Sequence, residues 1–451
     1  MRQSRNFSIL LAGVCGWPLG AAAVTDQRVA STPPAISYIS PSFVLKHKGG
    51  DYLGNFAVAD FDRDGYADFA LIQGGSNTVS IWLGKAGDGF VDISSLAVEE
   101  FSAKPRILAA DVNADGNPDL IVTTHHVDGG GIGHDSVSVF LGDGSGSFSE
   151  AVASGSFGAI DSIAAADFNG DGRIDLVVID SANNSVDLLL GNGTGGFTAS
   201  GGTACVPAPF SCSGITAGDF NGDGKPDFAV TNSDDSKSYS INVEVFLGNG
   251  HGSFTVKLNS AGTLPFPSLT TIGDIDSDGV PDVVALNLDP TTQQAKSIAV
   301  LRGDGAGGFG RAVNYAVSAY IIPNPANLTL ADLDSDGKMD LIIGGQSTTE
   351  PPPSPPSVFW TRRWFTPIAV FPGNGSGGFG TPIAYSAKGG GGTEAAGGGN
   401  SPAFAIGDYD GNGKSDVYVL TLFSNLWYAG LPILSQSGCS GSGYISILKA
   451  Q

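Results

Sequence analysis

This sequence predicts an all-β fold of repeated four-stranded units, on three observations. A nine-residue acidic pattern occurs seven times at nearly constant spacing. Each copy is flanked by the same order of short strand-forming runs. Composition agrees: 67 of 451 residues are Gly, only 2 are Met, and charged residues make up 15%, low for a helical protein. Gly-rich turns between runs of Val, Ile, Phe and Thr are the pattern of short strands. The apolar fraction, 41%, is enough for a large core. Length alone suggests about three ordinary domains, but a repeat array overrides that prior.

The pattern is D-x-[DN]-x-[DN]-G-x-x-D. Its copies are Asp60-Asp62-Asp64-Gly65-Asp68, Asp111-Asn113-Asp115-Gly116-Asp119, Asp167-Asn169-Asp171-Gly172-Asp175 and Asp219-Asn221-Asp223-Gly224-Asp227. Then come Asp274-Asp276-Asp278-Gly279-Asp282, Asp332-Asp334-Asp336-Gly337-Asp340 and Asp408-Asp410-Asn412-Gly413-Asp416. First aspartates are spaced by 51, 56, 52, 55, 58 and 76 residues. A short apolar run, strand A, precedes each loop, as in Ile163 to Ala166. A β-rich run, strand B, follows, as in Leu176 to Ile179. Strand C alternates, as in Val137 to Leu141, and leads into a turn such as Gly142-Asp143-Gly144-Ser145-Gly146. Each such turn ends on a Phe, the series being Phe90, Phe148, Phe197, Phe254, Phe309 and Phe379, and a weaker strand D runs on from it.

Four short strands per roughly 55 residues make one blade of a β-propeller. A single blade cannot bury both faces, so the array must close into a ring. The expectation is a seven-bladed β-propeller of four-stranded antiparallel blades over residues 36–451. The last repeat ends without a strand D, and Ile36 to Leu45 is a strand without a blade. The N-terminal strand is therefore expected to close the last blade and remove an exposed edge.

Aspartates at positions 1, 3, 5 and 9 converge when the loop curls, and Gly at position 6 permits the sharp turn. Position 7 varies freely as Tyr66, Asn117, Arg173, Lys225, Val280, Lys338 and Lys414, which fits a ligand supplied by its backbone carbonyl. An all-oxygen cage rich in carboxylates suits Ca²⁺ rather than Zn²⁺, and Mg²⁺ prefers to keep its waters. Up to seven structural Ca²⁺ ions are expected. The pattern matches the first nine positions of an EF-hand loop. Position 12, however, is Leu71, Val122 or Val178 rather than Glu, and the flanks are strands, which excludes an EF-hand. Charge agrees: 24 of the 44 acidic residues lie in the loops, and the other 20 are offset by 22 Lys and Arg. Seven Ca²⁺ would bring the net charge from −22 to about −8. Nothing in this balance supports nucleic-acid binding.

Residues 1–23 read as a secretory signal. Arg2 and Arg5 precede an apolar stretch from Phe7 to Leu19, and Ala21-Ala22-Ala23 offers a cleavage site. The stretch is too short for a membrane anchor, and no other segment reaches about 18 apolar residues, so no transmembrane segment is expected. Lipidation at Cys15 is disfavoured by the bulky Val14. Residues 24–35 form a linker. In an oxidising compartment Cys205 and Cys212, with Pro207 and Pro209 between them, are expected to form a local disulfide, leaving Cys439 over.

The Asp-Phe-Asn-Gly-Asp-Gly runs at 167–172 and 219–224, with Leu-Gly-Asn-Gly-x-Gly-x-Phe at 190–197 and 247–254, mark a resemblance. The chain resembles the FG-GAP or VCBS-type repeats shared with the N-terminal propeller of integrin α chains. The resemblance implies a seven-bladed propeller with Ca²⁺ in the A–B loops. The strict Gly-Ala-Pro part of the integrin pattern is absent, and the motifs are more similar to those of bacterial secreted proteins.

Strand alternation puts the A–B and C–D turns on one face of the disc and the B–C and D–A connections on the other. The first set is uniform, as a scaffold requires; the second varies, as functional loops do. His125 to Asp135, Ser347 to Thr366 and Leu422 to Gly443 read as insertions on the variable face. Lys388 to Asn400, between the sixth and seventh blades, is nearly all Gly and Ala. Trp360, Arg362, Arg363, Trp364, Trp427 and Tyr428 are the candidate ligand-binding residues, since aromatic rings beside Arg recur in sites for sugars and proteins. The same rings could cap the insertions as a small satellite core. His125, His126, His134, Asp128 and Asp135 have the residue types of a transition-metal site, but the glycines among them leave their spacing undefined.

No Ser-His-Asp order, nucleophile elbow, phosphate-binding loop or paired Glu stands out. The expected function is a secreted or surface-associated binding or adhesion module for an extracellular glycan or protein, with Ca²⁺ structural. The alternative is a polysaccharide lyase or hydrolase acting on the face opposite the calcium loops. A purely structural role in the envelope is a third reading. Oligomeric state is left open.

Overall fold

The computed structural model describes residues 36–39, 44–46, 53–73, 76–85, 89–127, 129, 131–204, 210–234, 240–265, 267–288, 295–317, 325–345, 348–349, 363–391, 403–408, 414–423 and 442–450. Their regular elements are β-strands. Among the described residues no helix is long and apolar enough to cross a membrane.

Antiparallel four-stranded blades stand around a common axis, which makes the fold an all-β propeller. Six blades each come from one contiguous stretch of chain, and the sixth of these adds a two-residue strand, Thr348–Thr349. The first blade runs through Leu53–Ala59, Asp68–Gln73, Thr78–Lys85 and Gly89–Ala97 as strands A to D. Each strand B starts on the ninth residue of its acidic loop, as in Asp119–Val127, Asp175–Asp180 and Asp227–Asp234. The residue opposite that aspartate is always small: Ala59, Ala110, Ala166, Gly218, Gly273, Ala331 or Gly407. A further sheet joins Ala403–Gly407, Asp416–Phe423 and Ser442–Ala450 to two short strands from the other end of the chain, Ile36–Ile39 and Val44–Lys46. Both pair with Ser442–Ala450, Ile36 opposite Ala450 and Val44 opposite Tyr444.

The apolar core lies between blades. Phe61, Val79 and Ile81 of the first blade meet Leu120, Val122 and Phe140 of the second. Phe168, Val177 and Ile179 of the third meet Phe228, Val230 and Phe246 of the fourth. Ala405 and Tyr418 of the composite sheet pack with Phe56, Val58 and Phe69 of the first blade, and the Ala67 N–H donates to the Asp408 carbonyl at 3.0 Å. Burying each Phe contributes about 1.5–3 kcal/mol, so the blades are held chiefly by one another.

Two features differ from the expectation. Strand D runs straight on from the turn Phe in Gly89–Ala97, Phe197–Ala204 and Phe254–Pro265. At Phe148, Phe309 and Phe379 the Phe makes only an isolated bridge, and strand D begins later, at Val152, Val313 and Ile383. There the next residue turns back to strand C: Ser149 N–H donates to Leu141, Gly310 to Arg302 and Gly380 to Pro372. Described parts of the segments expected as loops are also strand. His125 pairs with Asp135 and His126 with His134, and Lys388 pairs with Phe365. Extending a hairpin satisfies backbone groups that an open loop would leave to water.

Cys212, in strand Phe210–Gly218, is disulfide-bonded. Cys205 and Cys439 lie outside the described residues, as do the proposed signal and linker.

Candidate metal sites in the acidic loops

Six of the acidic loops are described in full; in the seventh, Asp408, Lys414 and Asp416 are described, while Asp410 and Asn412 lie outside. In the first loop the Asp60 carboxylate accepts from the backbone N–H of Asp64 and of Gly65, both at 3.0 Å. Asp62 accepts from the Asp64 N–H at 3.2 Å, and Asp64 from the Tyr66 N–H at 3.0 Å. The position-1 pattern recurs at Asp111, Asp167, Asp219, Asp274 and Asp332. The seventh residues Asn117, Arg173, Lys225, Val280 and Lys338 place their N–H on the fifth, as Tyr66 does.

This curl needs two left-handed residues. Gly65 is one, with φ 92°. Position 4 is the other; among the six fully described loops it is glycine at Gly170 and Gly222, while Arg63, Ala114, Ser277 and Ser335 hold φ near 60°. A side chain in that region costs about 1–2 kcal/mol, so the curl is held against strain.

The ninth residue does more than expected. Asp68 is fully buried. One oxygen accepts the Phe61 N–H at 2.6 Å and the other the Gly84 N–H at 2.7 Å. Asp119 likewise holds Val112 and Gly142, Asp227 holds Phe220 and Gly248, Asp282 holds Ile275 and Gly303, and Asp340 holds Leu333 and Gly373. Asp175 holds Asn169 and Gly191. The clamp joins the A–B corner to the C–D turn of the same blade. Close approach is possible because the turn residue is Gly: a Cβ on Gly84 would stand 2.5 Å from the Ala67 carbonyl oxygen.

The second residue, which the sequence reading passed over, joins neighbouring blades. Phe61 packs edge-to-face on Phe148 with ring centroids 5.3 Å apart, Phe168 on Phe254 at 5.7 Å and Phe220 on Phe309 at 6.3 Å. Its carbonyl accepts from the next blade's Gly turn: Gly146 to Phe61 at 3.0 Å, Gly252 to Phe168 at 3.1 Å and Gly307 to Phe220 at 3.2 Å. The signal was present, since position 2 is apolar or aromatic in every copy, from Phe61 to Tyr409.

Carboxylate oxygens of Asp60, Asp62 and Asp68 come within 4.8 Å of one another, as do those of Asp274, Asp276 and Asp282 and those of Asp332, Asp334 and Asp336. Among the six fully described loops, these are the ones with Asp at position 3. Where Asn stands there, its amide bridges instead: Asn113 donates to Asp115 and Asn169 to Asp171, both at 3.0 Å. Burial pushes the Asp68 carboxyl up to about 7, and Asp119, Asp227, Asp282 and Asp340 up to about 6. Burial first and neighbouring carboxylates next also raise Asp276 and Asp334.

The residues fit a hard divalent cation. The donors are all oxygen, several carboxylates converge, and Asp276 Oδ1 is buried without a hydrogen-bond partner. Among the fully described loops, partly exposed cations pair with third- and fifth-position carboxylates. Lys85 lies 3.2 Å from Asp62 and 3.4 Å from Asp64, Arg302 lies 3.4 Å from Asp276, and Arg173, Lys225 and Lys338 pair with the fifth residue of their own loops. With the cations partly exposed in every pair, each contributes about 1 kcal/mol or less. Among the six fully described loops these pairs involve the third and fifth residues, not the buried ninth.

The aromatic and arginine candidates are not brought together among the described residues. Arg363 and Trp364 begin strand Arg363–Phe371, with Trp364 opposite Thr349. Trp360, Arg362, Trp427 and Tyr428 lie outside the described residues.

Five overlapping windows of the chain match the FG-GAP-like repeat, at residues 60–122, 111–178, 167–230, 219–285 and 274–343. Each runs from one acidic loop into strand B of the next repeat. No curated protein sequence matches the chain. Among solved structures, the rhamnogalacturonan lyase YesW is similar at TM-score 0.47 and 15% identity, over 92% of this chain and 76% of that one. The Dos1 propeller is similar at 0.42 and 12%, over 91% and 95%. AofleA from Arthrobotrys oligospora is similar at 0.42 and 10%, over 77% and 92%. Likeness at this level carries no weight for activity or ligand.

Proposed function

Because the chain belongs to the FG-GAP-like repeat family, we propose that it is a seven-bladed, calcium-stabilised propeller that acts outside the cell as a binding module for a glycan or a protein. In this reading the composite sheet is the seventh blade, and Ile36–Ile39 closes it as the outermost strand. The pairing of Ile36 with Ala450 and the packing of Tyr418 on Phe69 support that closure. Calcium is the ion that suits an all-oxygen, multi-carboxylate loop in an extracellular setting. Its ligands would be the side chains at positions 1, 3, 5 and 9 and the carbonyl at position 7. The ion supplies charge compensation for the buried carboxylates. The signal-like residues 1–23 support export.

One observation carries the reading: the six fully described acidic loops stand at the A–B end of their blades, and the extended B–C hairpins stand at the other end. The calcium end is built alike from blade to blade, so recognition is assigned to the variable end. A glycan array probed with the full chain in calcium tests this. Retention of a defined set of glycans, lost when EGTA unfolds the chain, supports it. Turnover of a bound polysaccharide would replace it with the enzyme reading. Absence of glycan retention, together with no partner on cross-linking at the cell surface, would leave a scaffold alone.

A further inference from the structure

A second set of metal-ligating side chains lies at the opposite end of the blades from the acidic loops, on the B–C hairpin of the second blade. Strands Asp119–Val127 and Gly133–Phe140 place His126 directly opposite His134, and His125 opposite Asp135. Successive strand residues point to opposite faces, so these four residues divide into two pairs. On one face His125 Nδ1 meets Asp135 Oδ1 at 2.8 Å. Asp135 is 4% exposed, and its other oxygen accepts the Ile160 N–H at 2.8 Å. The far side of the His125 ring lies over Gly133, where a Cβ would stand 2.6 Å from Nε2. His125 is thereby committed to joining this hairpin to the third blade.

The other face is open. The His126 and His134 rings stand edge to face with centroids 5.2 Å apart. His126 Nδ1 lies 2.5 Å from Glu99 Oε2. The His126 side chain is 46% exposed and that of Glu99 74%.

We propose that His126 and His134 bind one transition-metal ion of the zinc class, with Glu99 orienting His126 from behind. Cβ atoms of directly opposite strand residues are about 4.5–5.5 Å apart, and two imidazole nitrogens can converge from there on an ion at about 2.0–2.1 Å. Imidazole selects Zn²⁺, Cu²⁺ or Ni²⁺, whereas the all-oxygen acidic loops select Ca²⁺. A carboxylate accepting from Nδ1–H fixes the tautomer that leaves Nε2 as the ligating atom and raises its basicity. Water fills the remaining positions, so the site is open rather than structural. The proposal is independent of calcium: it rests on nitrogen ligands at the other end of the blades.

Calorimetric titration of the full chain with Zn²⁺, under saturating Ca²⁺, tests it. One equivalent should bind in the micromolar range. His126→Ala and His134→Ala should each weaken that site by at least about tenfold, and Glu99→Gln by about tenfold. Affinity should fall as pH is lowered, because protons compete with the ion for the ligating nitrogens. Cu²⁺ added to the wild-type chain should show paramagnetic-resonance couplings to imidazole nitrogens, a readout that needs no variant to fold. Equal Zn²⁺ binding by wild type and the His126/His134 double alanine variant would overturn the proposal. So would a Cu²⁺ spectrum without nitrogen coupling.

Discussion

At the A–B end of each fully described blade, an aspartate clamps two backbone amides and an apolar second residue enters the next blade. At the B–C end, the described residues of the second and sixth blades share nothing but strand pairing. The second carries a hairpin ending in histidines, and the sixth inserts Thr348–Thr349 beside strand Arg363–Phe371. The difference teaches where the ring is held. The A–B end closes contacts within and between blades at once, so its residues cannot vary independently. The B–C end closes most of its contacts within its own hairpin, and where it reaches a neighbour, as Asp135 reaches the Ile160 N–H, it does so through a residue particular to that blade.

Substitutions at the two ends should therefore differ in kind. The largest effect is expected at the inter-blade joint. Phe168→Ala should cost about 3–5 kcal/mol in denaturant unfolding, because it empties a fully buried site between the third and fourth blades. A loss below about 1 kcal/mol would show that the joint carries little of the stability.

Next come the two depths of one loop. Asp68→Asn places an amide NH₂ against one of two buried N–H donors and should cost about 1–3 kcal/mol even in EGTA, with a further loss in calcium because a ligand goes too. Asp64→Asn, at the exposed rim, should matter only through the ion. At about 1 mM Ca²⁺ a site of extracellular affinity adds about 0.4–1.4 kcal/mol, and in EGTA the Asp64→Asn difference should vanish. Equal behaviour of the two variants in both buffers would remove the distinction between clamp and ligand.

The pH dependence has a definite sign. Burial holds Asp68 at about 7 and Asp119, Asp227, Asp282 and Asp340 at about 6, all above their unfolded value near 3.8. The folded chain then binds more protons than the unfolded one between those values. The associated stability is fully present below about pH 4 and is lost as pH rises through 6 and 7. In EGTA the melting temperature should be higher at pH 5 than at pH 7.5, and calcium should flatten or reverse that order. A flat profile in EGTA would contradict the burial argument. The smallest effect is expected at the other end: Ile132 is 68% exposed, and Ile132→Ser should change stability by no more than about 0.5 kcal/mol.

The sequence made the acidic loops and most strand A, B and C positions legible because those patterns are local. The alternating run Val137 to Leu141 and the fixed Gly at position 6 state their own geometry. What stayed hidden was contact between repeats. Phe61 and Phe148 belong to different blades, and the amides that Asp68 holds come from Phe61 and from the distant turn residue Gly84. The left-handed position 4 was masked because Arg63, Ala114, Ser277 and Ser335 stand where Gly would signal it. The B–C segments looked like loops because His, Gly and Pro disguise strands whose pairing is set by the partner rather than by propensity.

The central claim is that the acidic loops hold structural calcium. The direct test is equilibrium unfolding of the full chain at neutral pH in about 1 mM Ca²⁺ and in EGTA. Seven sites of extracellular affinity would together add several kcal/mol, so EGTA should lower the midpoint sharply and calcium restore it. Superimposable curves in the two buffers would contradict the account.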